Sequence, residues 1–305
     1  MDAAWERQYG SGSRKWALGW RWNGRVPWPH RTLDQNEYGL PALRGQIRSF
    51  SPDVLIIRGH TFLDVEQLRD IKKEVGLLVG QFATYLDPRF DLASFDLILS
   101  SLPNLVDRFR KLSIKSEVLR LGFEPSISAR VVSCKRKIDA SFVGTVAADH
   151  TDRKILLTEL SALFELEIWG SDPQGLGVEA IRKYRGQAWG LDMFQVLKDS
   201  LVTINHHEHW SSPEHANNMR MYEATGMGSL VITDYKTDLH RYFEPGEEVL
   251  VYRTPQECAE LVRFALTDRS ARDRIAAAGQ RRTLREHTYL DRMKELVDIL
   301  GDYVK

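Results

Sequence analysis

Apolar and polar positions alternate along this chain as short hydrophobic runs separated by amphipathic stretches, and the alternation restarts once. After Ser51-Pro52-Asp53, the apolar run Val54–Ile57 leads into a helical stretch at Leu63–Glu74 and a second apolar run at Val75–Val79. A polar loop (Gln81–Arg89), a strand (Phe95–Leu99), a helix (Leu102–Leu112) and a strand (Ser116–Leu121) complete this series. Strands spaced by helical segments of about ten residues predict βαβ units on a parallel sheet. No strand is apparent before Ile47. Gly122–Lys137, with Pro125 and the basic cluster Arg130, Lys135, Arg136 and Lys137, breaks the pattern and reads as a linker.

The second series opens with a strand at Ala140–Val143, a helix at Arg153–Phe164, a strand at Leu166–Trp169 and a helix at Leu191–Lys198. An apolar strand (Leu201–Asn205) then enters a His-rich loop. Ser212 and Pro213 have the residue types of an N-cap and first helical position, so a helix is expected from there to Gly226. Strands at Leu230–Thr233 and Val249–Tyr252 follow. The C-terminal part is helical, with one face marked by Cys258, Leu261, Val262 and Ala265 and another by Leu290, Met293, Leu296, Val297 and Leu300. Thr288 and Asp291 are placed to cap the last helix. The expected fold is α/β, with two similar units facing a cleft.

A chain of 305 residues with 42 basic and 42 acidic side chains has no net formal charge, which argues against a dedicated nucleic-acid binder. Cys134 and Cys258 lack metal-ligand spacing and read as unpaired thiols of a reducing compartment. No apolar run approaches the roughly 20 residues of a membrane span, and no signal-peptide core is visible, so a cytoplasmic location is expected. The first 50 residues hold five of the eight tryptophans (Trp5, Trp16, Trp20, Trp22, Trp28). Such rings beside arginines suit a glycan, a partner protein or a peripheral membrane surface, or simply pack as a cap on the first unit.

In open α/β sheets, ligands bind beyond the carboxyl ends of strands, so the loops there carry the candidate chemistry. Gly144 and Thr145 follow a strand and permit close backbone approach, and Arg153 and Lys154 at the next helix can neutralise a diphosphate or sit solvated. Glu223 can accept hydrogen bonds from two vicinal ribose hydroxyls, or pair with Arg220 three residues earlier. His206, His207, His209 and His215 with Glu208 do not have the spacing of a metal site and suit sugar or phosphate contacts, or are solvated loop residues. In the first unit, His60 and Asp87 follow apolar strands and either act on an acceptor hydroxyl or are a solvated loop histidine and a turn-initiating aspartate before Pro88.

Asn218-x-Arg220-x-Tyr222-Glu223-Ala224-x-Gly226, followed by a buried strand, resembles the donor-binding segment of GT-B glycosyltransferases of the group-1 (family 4-like) branch, which includes the CgeB-like spore-maturation proteins. Phe142-Val143-Gly144, Tyr184-Arg185-Gly186 through Leu197, Pro245-Gly246-Glu247-Glu248 and His287-Thr288-Tyr289 extend the resemblance over roughly Ser116 to Leu300. It implies two Rossmann-like domains, an acceptor-side domain at 1–128 shortened at its start and a nucleotide-sugar domain at 129–285, with a terminal helix at 286–305 packing back on the first. It also implies Glu223 on the ribose, Gly144, Arg153 and Lys154 near the diphosphate, and Asn218, Arg220 and Gly226 shaping the donor pocket. Transfer from a nucleoside-diphosphate sugar to a glycan, lipid-linked or protein acceptor would retain configuration and need neither metal nor cofactor. His215 stands where many retaining members carry a glutamate. The alternative is a degenerate, non-catalytic relative that binds a partner or glycan.

Overall fold

The computed structural model describes residues 18–21, 28–31, 39–58, 63–83, 92–132, 136–146, 151–207 and 214–304. The chain divides into two compact units. One comprises Met1–Leu99, Arg108–Glu117 and Tyr303–Lys305, and the other Ser100–Asp107 and Val118–Asp302.

The first unit starts with a short antiparallel pair, β1 (Leu18–Arg21) and β2 (Trp28–Arg31), followed by helix α1 (Leu40–Phe50). None of these was expected from the pattern. The two strands are four residues each and β2 contains Pro29, so no period-2 signal develops. Ile47, where a strand had seemed to begin, is instead the buried residue of α1.

The remaining elements follow the expected alternation: β3 (Val54–Arg58), α2 (Val65–Lys72), β4 (Leu77–Gln81), β5 (Leu97–Ser100), α3 (Pro103–Lys111) and β6 (Ser116–Val118), with strand order β3-β4-β5-β6. β3, β4 and β5 pair in parallel. Leu78, Val79 and all of β5 are sealed from solvent, as continuous apolar runs in a covered parallel sheet should be. A reciprocal capping box fixes the start of α2: Gln67 N donates to Asp64 Oδ1 at 2.8 Å, and Asp64 N to Gln67 Oε1 at 3.1 Å.

The second unit holds β7 (Ile138–Val143), α4 (Thr151–Leu163), β8 (Leu166–Trp169), α5 (Val178–Arg182), α6 (Leu191–Asp199) and β9 (Ser200–Asn205). It continues with α7 (Met219–Gly226), β10 (Leu230–Asp234), β11 (Leu250–Tyr252), α8 (Pro255–Thr267), α9 (Arg269–Glu286) and α10 (Tyr289–Gly301). Its five strands lie in the order β8-β7-β9-β10-β11, all parallel. Read from β7 as the first strand, this is a doubly wound order whose direction reverses between β7 and β9. A crevice at the carboxyl ends of those two strands is the expected ligand position.

Alternation along β10 shows how the two faces are filled: Leu230 and Ile232 join a core with α4 and α8, whereas Val231 joins one with α6 and α7. The segment after β6 is clasped to the start of α10. Phe123 N donates to His287 O at 2.8 Å and Tyr289 N to Phe123 O at 2.9 Å. Thr288 caps α10, with Asp291 completing the box as expected.

His287 lies under this clasp, 1% exposed. Its Nε2 donates to Tyr242 O at 2.8 Å and its Nδ1 accepts from Arg292 Nη2 at 2.9 Å, an arrangement that requires the neutral ring. Burial pulls its pKa down to about 4. Stability from this group is therefore complete above the unfolded value of about 6.5 and is lost as pH falls toward 4, on the order of 3 kcal/mol in full. His287→Gln can make both hydrogen bonds without titrating. Urea unfolding at pH 7 and pH 5 should show a smaller drop in midpoint for this variant than for the wild type.

Candidate functional site

The carboxyl ends of β7 and β9 are joined by one side chain. Arg153, in the first turn of α4 and 5% exposed, donates through Nη1 to Thr145 O at 2.6 Å and through Nη2 to His206 O at 2.8 Å, with its guanidinium 5.7 Å from the centre of the Phe142 ring. Expected near a diphosphate, Arg153 is a backbone clamp with both terminal nitrogens on carbonyl groups. Lys154, its neighbour, is half-buried beside Gly175. Gly144 N donates to Trp169 O at 3.0 Å, and a Cβ at Gly144 would stand 3.1 Å from the Phe142 ring. The segment Tyr184-Arg185-Gly186 lies alongside β8, with Arg185 N donating to Ile168 O at 2.8 Å.

Helix α7 begins later than expected. Its N-cap is Asn218, whose side chain accepts from Arg220 N at 2.9 Å; residues 214–218 are not helical, and Ser212 and Pro213 lie outside the described residues. An extended backbone at Asn218 together with an Asx-type hydrogen bond stops the helix there.

From the first turn, Arg220 reaches across to β7, its Nε donating to Val143 O at 2.8 Å, while Nη1 meets Glu223 Oε2 at 2.6 Å. Each side chain of this pair is 13% exposed. Burial pulls the arginine pKa down and pushes the Glu223 carboxyl up, and each partner opposes the other's shift. The second oxygen, Glu223 Oε1, accepts no hydrogen bond from any described residue. Thus the carboxylate is fixed at the β7 end of the crevice with one acceptor in reserve.

Gly226 serves packing: a Cβ there would come within 2.6 Å of the Phe123 ring. Arg220, Glu223 and Gly144 are thereby brought together, while Gly226 sits at the far end of α7.

The three described histidines of the loop go to three different partners. His206 Nδ1 lies 3.0 Å from Tyr252 Oη, and that hydroxyl donates its only proton to Asn205 O at 2.9 Å, so Nδ1 of His206 carries a proton. His207 is 2% exposed, and Asp234 Oδ1 accepts from both its Nδ1 at 2.7 Å and its backbone N at 2.9 Å. Burial alone would raise the Asp234 carboxyl, but the field and hydrogen bond of His207, with His206 and Lys236, hold it well below the usual range. His215 Nδ1 pairs with the buried Asp238 Oδ2 at 2.8 Å.

These acidic partners were not anticipated. Asp234 ends a wholly buried strand at its carboxyl end, which is the sequence signal that marks it. Buried Lys236, 3.4 Å from Asp234 Oδ2, carries no such signal. His60 and Asp87, the candidates for acting on an acceptor, lie outside the described residues, as do Glu208, His209 and Cys134. Cys258 is a buried thiol whose pKa burial pushes up. No described helix is long and apolar enough to cross a membrane.

Residues 153–298 match a family model described as glycosyl transferase-like. A comparison with curated protein sequences yields no match. Among solved structures, the chain is similar to a sucrose-phosphate synthase from Thermosynechococcus elongatus at 11% identity and a TM-score of 0.61, covering 87% of this chain and 77% of that one. A glycosyltransferase from Rickettsia africae gives 11% identity and 0.63, with 92% and 85% covered. Anabaena HepE, solved in complex with UDP and also with UDP and glucose, gives 12% and 0.62, with 86% and 82% covered. The α/β fold with two Rossmann-like domains of the GT-B kind is shared with these structures.

Two predictions separate structural from ligand-facing roles. Arg153→Lys replaces a planar fork with a point charge that cannot span both carbonyls, and should lower stability by roughly 1–3 kcal/mol in urea unfolding. Gly226→Ala should cost a similar amount, about 1–3 kcal/mol, because it overpacks Phe123. Combining it with Phe123→Leu should then be clearly less destabilising than the sum of the two single changes.

Proposed function

We propose that the protein is a glycosyltransferase that moves a sugar from a nucleoside-diphosphate sugar to an acceptor, with the donor held in the second unit at the crevice between β7 and β9. The observation that carries this reading is Glu223: one carboxylate oxygen is immobilised by Arg220, and the other is left to accept from a ligand at the end of the reversed strand pair. A ribose, with two adjacent hydroxyl donors, satisfies that acceptor. The glycosyl transferase-like match at 153–298 includes β9, Arg220 and Glu223, and the structurally similar HepE was solved in complex with UDP. The Asn218–Gly226 pattern favours the CgeB-like branch within this class.

The diphosphate would lie between Gly144 and the amino end of α7, whose first-turn N–H groups favour negative charge, with Lys154 nearby as a cation. These groups would stabilise the leaving diphosphate as the glycosidic bond to it breaks, so we propose metal-independent transfer with retention of configuration. Arg153 contributes by tying Thr145 to His206 at the ends of β7 and β9. His215, paired with Asp238, would take the part of a sugar-contacting carboxylate and meet the transferred hexose through its imidazole. The acceptor-side role is assigned to the first unit, with His60 and Asp87 as the groups to act on the acceptor hydroxyl, and the Trp-rich start as a contact for an acceptor carrier. A cytoplasmic enzyme drawing on soluble nucleotide sugars is the setting proposed.

Calorimetric titration of the full chain with UDP, GDP and ADP tests the reading. One of the three should bind, and Glu223→Ala should weaken it at least tenfold while far-UV circular dichroism stays unchanged. Equal affinity in the variant, or no binding of any of the three, would overturn it.

A further inference from the structure

The last helix carries apolar side chains that its own unit leaves open to solvent. On the packed side of α10, Arg292 donates to Leu121 O and to Glu286 O, each at 2.9 Å, and Glu295 accepts from both Arg292 and Arg120. On the opposite side Leu290 stands 65% exposed, Met293 46% and Val297 66%, with half-buried Leu300 ending the row. Exposed apolar residues scattered singly need no explanation, but these form one continuous line.

Their spacing of three, four and three residues is the narrow seam of a helix that packs lengthwise on another helix. A helix lying in a membrane surface presents a wider apolar face bordered by basic residues. Here the border is acidic. Between Leu290 and Asp302 stand Asp291, Glu295, Asp298 and Asp302, and the one cation besides buried Arg292 is Lys294, so an anionic lipid surface or an acidic partner would be repelled.

The same charges are complementary to themselves. Lys294 and Asp298, both exposed, lie one turn apart on one flank of the row. In an antiparallel pair related by a two-fold axis, each flank meets the same flank of the other copy with its direction reversed. With the axis level with Leu296, Lys294 stands against the second copy's Asp298, and Asp298 against its Lys294. A parallel pair would set this charged flank against Tyr289 and Leu296 instead.

We propose that the row is a self-association surface, through which two copies of the chain pair their α10 helices antiparallel. The helix is about 20 Å long, and a contact of that length falls short of a standard interface of roughly 1,600 Å², so the dimer is a weak one that forms as concentration rises. None of these residues belongs to the donor crevice, so this proposal and the nucleotide assignment fail independently.

Sedimentation equilibrium of the full chain, from low-micromolar to near-millimolar concentration, should show the mass rising from one chain toward two. Leu290→Glu and Val297→Glu, both at exposed positions, should each weaken association at least tenfold, with urea midpoints unchanged at the lowest concentration. Lys294→Asp should weaken it at least fivefold, and adding Asp298→Lys should restore it, because the ion pairs form again with their signs exchanged. The proposal falls on any of four outcomes: the mass of one chain at every concentration, association indifferent to Val297→Glu, no recovery in the Lys294→Asp, Asp298→Lys double variant, or cosedimentation with phosphatidylglycerol vesicles that Val297→Glu abolishes.

Discussion

Parallel strands and the helices between them end in carbonyl groups that no neighbouring strand or turn can satisfy, and this fold meets that constraint with buried and half-buried arginines. Arg136 gathers the carbonyl groups of Lys198, Ser200, Met227 and Gly228 where α6 and α7 end. Arg153 takes Thr145 and His206, Arg220 takes Val143, and Arg292 takes Leu121 and Glu286. Burial pulls the Arg136 pKa down, with Asp273 opposing the shift, yet a guanidinium stays charged under any ordinary condition. A lysine could supply the charge but not several fixed donors at once. The geometry of the candidate site thus rests on groups that resemble ligand contacts in sequence and that also hold the backbone in place.

That ambiguity explains which parts of the molecule were legible in advance. Most strands of the four- and five-stranded sheets could be read because their apolar runs are continuous, and sealed as at Val202–Ile204 and Leu230–Ile232. Boundaries that depend on side-chain hydrogen bonds were harder: Ser212-Pro213 has the composition of a helix start, yet α7 waits for Asn218. At the site, Glu223 could be singled out from the Asn218–Gly226 pattern it belongs to, whereas the division of labour between Arg153 and Arg220 could not. Each is an arginine in the first turn of a helix after a strand. Only the three-dimensional path of the chain shows Arg153 committed to two carbonyls and Arg220 holding Glu223. Similarly, His206, His207 and His215 stood out as a cluster, but their partners Tyr252, Asp234 and Asp238 come from strand ends and turns 46, 27 and 23 residues away.

The histidine loop is therefore anchored on both sides of a segment rich in polar groups. His206 and His207 are pinned at its start to β11 and β10, and His215 at its end to Asp238, with Ala216 N also on Asp238 Oδ1 at 2.7 Å.

The clasp between Phe123 and residues 287–289 bears on the order in which the chain can fold during synthesis. Phe123 packs on Gly226, but its backbone partners belong to a stretch made more than 160 residues later. As the chain leaves the ribosome, the sheet of the second unit can form as soon as β11 has emerged, while the segment just after β6 must wait for α10 to close over it. The Phe123 ring can settle on Gly226 and Phe194 with that sheet, but its backbone hydrogen bonds form only when the last part of the chain has been made, so this clasp is a late, long-range step of folding.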